Sequence, residues 1–205
     1  MADELDPLVL LDWRRRIAEL YTDVRRSADP AAAWERWRTT RDELFAGHPA
    51  SPIPPAERPC FRGLPMFDHD PAARVDAELR PAAPKPVGLV AADGAIYEST
   101  RFAVAHFELF GAPCQLDVHW LDGYAGGLFV SFTDQTSGRQ TYGGGRYLLD
   151  TIKGADLGGS GGRLTLDFNF AYNPSCAYDP AWSCPLPSAA NRLGCVIAAG
   201  ELAPG

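Results

Sequence analysis

The chain has 205 residues, 46% of them hydrophobic and 22% charged, with a net charge of −7. That is ordinary for a soluble globular protein and enough for one domain to bury a core without staples. The acidic balance argues against a nucleic-acid binder, which needs a basic face, and no apolar run approaches the roughly 20 residues of a membrane helix.

Met1-Ala-Asp-Glu-Leu-Asp6 lacks the basic start and apolar core of a secretory signal, and the five cysteines are an odd number. Reduced thiols in the cytoplasm are therefore expected. Asp6-Pro7 pairs a capping carboxylate with a proline at the first helical position. Leu10, Trp13, Ile17, Tyr21 and Val24 then recur at helical spacing. Ser27-Ala-Asp29-Pro30 repeats the start signal, and Trp34, Trp37, Arg41 and Leu44 share a face until Gly47-His48-Pro49 ends the second helix. The arginines of this region, from Arg14 to Arg41, read as a solvated face or a docking surface, and the aromatic helices could pair two chains into a homodimer.

Residues 1–48 are thus a helical arm and 49–66 a Pro-rich tether, followed by a β-rich body over 67–205, all within one domain. Strands are expected near 74–79, 87–92, 96–104, 106–110, 114–121, 127–134, 146–152, 164–170 and 195–199. Asp93-Gly94 is a strong hairpin signal, and tight turns without intervening helices indicate an antiparallel sheet. The expected fold is mainly β, an antiparallel β-barrel or strongly curved half-barrel preceded by two α-helices. Alternation sets Leu164, Leu166, Phe168 and Phe170 against Thr165, Asp167 and Asn169, whose polar face is either wet or turned into a ligand-holding lumen.

Chemistry concentrates at two places. The turn from Thr133 to Tyr147 carries Asp134, a carboxylate suited to acid–base work or to capping, and Arg146, a guanidinium suited to clamping an oxyanion. The loop over 171–193 follows Asp167 and Asn169 and contains Asn173, Cys176 and Cys184. Seven residues separate those cysteines, more than zinc ligand pairs use, so no metal is expected. Buried inert thiols, a disulfide and a reactive thiol all fit them.

Phe132-x-Asp134-x-Thr136-x-Gly138, Thr141-Tyr142-x-x-Gly145-Arg146-Tyr147, Asp167-Phe-Asn169-x-Ala-Tyr172-Asn173-Pro174-x-Cys176-Ala177, Cys184-Pro-Leu-Pro and Asn191-x-Leu193 together resemble the domain-of-unknown-function 1684 family. Upstream, Trp37-Arg38-x-x-Arg41-Asp-x-Leu44-Phe45-x-x-His48-Pro49 is similar to its shorter members. The resemblance spans about residues 34–202 and implies a fold and a site location but no substrate. The family pattern places basic residues where Thr133 and Phe170 stand and a glutamate where Ala190 stands. Neutral drift or adaptation to a less polar ligand accounts for those departures, and Ala190 has nothing to titrate.

The function expected from these residues is binding and transformation of a small, largely apolar organic molecule by cofactor-free acid–base chemistry. Hydrolysis, isomerisation, dehydration and cyclisation all fit, in a role in specialised metabolism. Asp134, Arg146 and Asp167 are the catalytic candidates; Tyr147, Asn169, Phe170, Asn173 and Cys176 are the substrate-binding ones. No nicotinamide, flavin or ATP motif is present, and no cofactor is expected. The alternatives are a non-catalytic carrier of lipocalin type and a structural or interaction module.

Overall fold

The computed structural model describes residues 6–124 and 126–204. The first five residues, part of the start read for a signal, lie outside that range. Helix α1 (Pro7–Arg26) opens with the Asp6 side chain accepting the Leu8 N–H at 2.8 Å. Helix α2 (Pro30–Gly47) opens with Asp29 accepting the N–H groups of Ala31 and Ala32. Both caps satisfy donors that a first helical turn leaves orphaned.

Seven strands follow: β1 (Arg74–Val90), β2 (Ile96–Leu109), β3 (Ala112–Leu121), β4 (Gly127–Phe132), β5 (Arg146–Asp150), β6 (Gly159–Ser160) and β7 (Arg163–Asp167). They form one antiparallel sheet in the order β5-β4-β3-β2-β1-β7-β6, curled into a half-barrel whose edges are β5 and β6. The half-barrel form of the sequence reading is therefore the one adopted.

Two strands read separately at 74–79 and 87–92 are one long β1 with a register shift between Pro81 and Lys85. Its prolines look like a break. Beyond Glu78, however, β1 pairs with β2 alone, so Pro81, Pro84 and Pro86 lie on a free edge where a missing N–H costs no ladder bond. The two strands read at 96–104 and 106–110 are likewise one strand, β2. The run read as a strand to 170 leaves the sheet at Asp167 and closes a 3-10 turn over Phe168–Phe170. The segment at 195–199 is not a strand. Side chains, described below, take the place of its ladder.

One face of the sheet and both helices share a core that includes Ile17, Tyr21, Trp34, Trp37, Leu116, Val130, Phe132, Leu148, Leu166 and Phe168. Trp37 is fully buried edge-on to Phe170 at 5.2 Å, and the Trp34 indole donates to the Asn169 carbonyl at 3.1 Å. The tryptophans are helix-to-body packing. Fully burying one such ring stabilises by about 3 kcal/mol or more.

The opposite face carries a smaller layer in which Leu89, Leu121, Phe129 and Tyr147 meet Cys184, Cys176 and Trp182. Here the long loop covers the sheet. The cover explains why His119 is buried while its neighbour Trp120 is 45% exposed, against simple alternation. The His119 ring nitrogen Nδ1 lies 3.2 Å from the Ser99 hydroxyl, which donates to the Val87 carbonyl.

Candidate functional site

Asp134 and Arg146 do come together, with Oδ1 and Nη2 3.5 Å apart and both side chains buried. Gly145 makes the approach possible: its φ is +87°, and a Cβ there would lie 2.6 Å from the Phe132 carbonyl. The Asp134 carboxylate accepts the Thr136 hydroxyl at 2.8 Å and the Ile197 N–H at 2.8 Å. Arg146 donates to the carbonyls of Ala199, of Ile197 at 3.2 Å and of Glu201 at 3.4 Å. Burial pushes the Arg146 guanidinium down to about 10, against the pull of Asp134 and Glu201, so it remains a cation at neutral pH. An ion pair thus grips the backbone of residues 197–201 where a strand ladder would otherwise do so.

Asp167 and Asn169 form a separate cluster. Asp167 Oδ1 accepts the Asn169 backbone N–H at 3.1 Å and the side-chain amide at 2.8 Å. The Asn169 amide also exchanges two bonds with the Asp70 backbone, both 2.8 Å. Phe170 is fully buried against Trp37. Burial raises the Asp167 carboxyl above its ordinary value, opposed by the Asn169 bonds and by Arg74. The folded chain therefore holds this proton over a window above 3.8 in which the unfolded chain has lost it. Stability from this group is full at acid pH and is lost as pH rises through the window. Asp167→Asn should flatten that slope and cost under about 1 kcal/mol near neutrality, because an amide oxygen keeps both acceptor contacts. Denaturant midpoints across a pH series check it.

Among the described residues, the five principal cavities include none lined by Asp134, Arg146 or Asp167. Tyr147 and Asn173 do line one, a space of about 50 Å³ between α1, α2 and residues 172–175. Its walls also include Trp13, Tyr21, Arg41, Phe45, Lys153 and Tyr172. Arg41 carries it: the guanidinium carbon lies 4.8 Å from the Trp37 ring and 5.0 Å from those of Phe45 and Tyr172. Its Nη2 donates at 3.0 Å to Glu201 Oε2, which also accepts the Asn173 N–H at 2.9 Å.

Gly200, at φ +78° and with the Ala171 and Phe168 carbonyls 2.6 and 2.7 Å from where a Cβ would be, aims Glu201 inward. Burial raises the Glu201 carboxyl, chiefly against the Arg41 charge. Tyr21 is pushed up to about 12 by burial, offset in part by Arg41 and the Trp37 side chain. Tyr172 is raised well above 10, first by burial. Three polar atoms of this wall have no hydrogen-bond partner among the described residues: the Tyr21 hydroxyl, Arg41 Nε and Asn173 Oδ1. All three residues are at least 95% buried.

Cys176 lies behind this wall rather than in it, its thiol hydrogen-bonded to Cys184 and 3.9 Å from the Tyr142 hydroxyl. Tyr21, Arg41, Tyr172, Lys153 and Glu201 were not among the residues the sequence singled out as a site. Arg41 left one signal, a cation inside an apolar helix stripe. Glu201 left none.

The model of a family described as "Protein of unknown function (DUF1684)" matches residues 60–202, well over half the chain. The chain belongs to that family. This DUF1684 protein is also similar to a solved structure, the solution NMR structure of the uncharacterized protein from gene locus rrnAC0354 of Haloarcula marismortui. The two are 40% identical, with a TM-score of 0.59, over 80% of this chain and 89% of that one. No curated protein matches it. Among the described residues of this family member, no helix is long and apolar enough to cross a membrane.

Proposed function

We propose that this chain binds a small, largely apolar organic molecule bearing a carboxyl or carbonyl oxygen, in the cavity around Arg41, and acts on it by cofactor-free proton transfer. One observation supports the reading. Three residues that line one aromatic-walled cavity each carry a buried polar atom without a partner among the described residues, and leaving each unpaired costs about 1–3 kcal/mol. A ligand oxygen facing Arg41 Nε and the Tyr21 hydroxyl, with a donor toward Asn173 Oδ1, satisfies all three. Tyr21 stays protonated at neutral pH and serves as acid; the Arg41 cation stabilises negative charge developing on the oxygen. In this reading Asp134 and Arg146 position Glu201, and Asp167, Asn169 and Phe170 position α2, rather than meeting the ligand.

Tyr21→Phe separates this from a purely structural role, because it removes only a hydroxyl and keeps the buried ring. Saturation-transfer NMR with acetate, pyruvate and benzoate should detect binding to the wild type. The variant should bind about tenfold more weakly, a loss of roughly 1.4 kcal/mol, with no loss of stability. The second reading, a structural module, is favoured by the internal bonding of Asp134, Arg146, Asp167 and Asn169. It prevails if none of the acids binds and Tyr21→Phe only gains stability. A cytoplasmic location and a homodimer through the helices, which expose Leu8 at 71% and Leu11 at 48%, complete the proposal. Size-exclusion chromatography tests the dimer.

A further inference from the structure

The loop that covers the second face of the sheet brings two cysteines together. Cys184 is buried against Leu89, Leu121, Phe129 and Tyr147, and Cys176 is half-buried beside it. Each is pinned by a different anchor. Cys184 follows Ser183, whose carbonyl accepts the Tyr97 hydroxyl at 3.1 Å, and precedes Pro185, bridged to Ala91 at the end of the β1–β2 hairpin. Cys176 sits in the Ser175–Ala177 turn, which follows the bridge between Tyr172 and Tyr147.

The Cys176 thiol beside it pulls the Cys184 thiol down to about 6 against burial, with the backbone N–H groups of Cys176 and Ser175 and the Lys153 charge adding to the pull. Those donors favour a thiolate at Cys184 and hold the proton on Cys176. The Tyr142 hydroxyl adds a contact to Cys176 at 3.9 Å. Cys114 and Cys195 also neighbour each other. There burial and the second thiol push Cys114 up to about 11, with one backbone contact opposing and no cation acting, so Cys114 keeps its proton at neutral pH.

We propose that Cys176 and Cys184 form a redox-active dithiol that is oxidised by small hydroperoxides to an intramolecular disulfide. The Cys184 thiolate attacks one peroxide oxygen. An S–O bond forms, the O–O bond breaks, and the leaving hydroxide takes the proton from the half-buried Cys176 to become water. The Cys176 thiolate then attacks the Cys184 sulfenic sulfur. The S–S bond forms, the S–O bond breaks, and the second hydroxide leaves as water with a proton from solvent. Two electrons pass from the sulfur pair to the peroxide, and the dithiol is restored by an external thiol.

The test treats the reduced, folded wild type with stoichiometric hydrogen peroxide, blocks remaining thiols with iodoacetamide, and maps peptides by non-reducing mass spectrometry. The expected product is a Cys176–Cys184 linked peptide lighter by two hydrogens, reversed by dithiothreitol, with Cys114 and Cys195 still alkylated. Circular dichroism before and after confirms that the fold persists. Cys184→Ser should abolish the link and leave Cys176 unoxidised, and Cys176→Ser should leave Cys184 as a sulfenic acid trapped by dimedone. The proposal is overturned if both thiols remain alkylated in the folded wild type. It is equally overturned if Cys114–Cys195 closes as fast, or if the link forms only after denaturation.

Discussion

Replacing Arg146 with methionine should lower the unfolding free energy by about 3–5 kcal/mol, the usual cost of removing one partner from a buried ion pair. The carboxylate of Asp134 would keep its bonds to Thr136 and Ile197 but lose its buried counter-charge. The carbonyls of Ile197 and Ala199 would lose their donors in the same step. For a chain of this size each kcal/mol moves the melting midpoint by about 2–4 °C, so a fall of roughly 6–20 °C is expected. Asp134→Asn should cost less, since the amide oxygen still accepts from Ile197 and leaves only the cation short of a partner. Urea denaturation of the three proteins measures the ordering. A loss below about 1 kcal/mol for Arg146→Met would show that the guanidinium is not consumed in holding the C-terminal segment, and would return it to the catalytic candidates.

Arg41→Leu should destabilise the chain by a similar amount near pH 8, about 3–5 kcal/mol, and with a pH dependence set by Glu201. Glu201 is fully buried, and the only charged hydrogen-bond partner of its carboxylate among the described residues is Arg41. Burial already holds the Glu201 carboxyl above its ordinary 4.5, and the Arg41 charge is the largest influence opposing that rise. In the wild type, stability from this group is full below 4.5 and lost as pH rises through the raised value. Without Arg41 the raised value climbs further and the window of loss extends upward. The gap between variant and wild type should therefore widen with pH, by at most about 1.4 kcal/mol per unit. Urea midpoints at about pH 5 and about pH 8 check this. Parallel losses at both would mean that Glu201 is not the group Arg41 keeps charged. The same variant should also lose binding of the small acids, because Arg41 lines the cavity.

What the sequence determined by itself lies within a few residues of its cause. Asp6-Pro7 and Asp29-Pro30 start helices because a carboxylate two or three residues from a free N–H needs no help from the rest of the chain. Asp93-Gly94 turns a hairpin for the same local reason. Apolar periodicity places the two helices, and tight turns without intervening helices indicate the antiparallel half-barrel. The continuity of β1 through its prolines was decided by tertiary structure, since only the sheet order shows that this stretch is a free edge. So was the fate of the candidate carboxylates. Asp134 and Asp167 look alike as polar residues at strand ends, yet one grips the chain 63 residues away and the other closes a turn onto Asp70. Arg41 and Glu201 are 160 residues apart, and neither is meaningful alone. A buried charge needs its partner before burial is affordable, and which partner arrives is settled only when the helices close over the sheet.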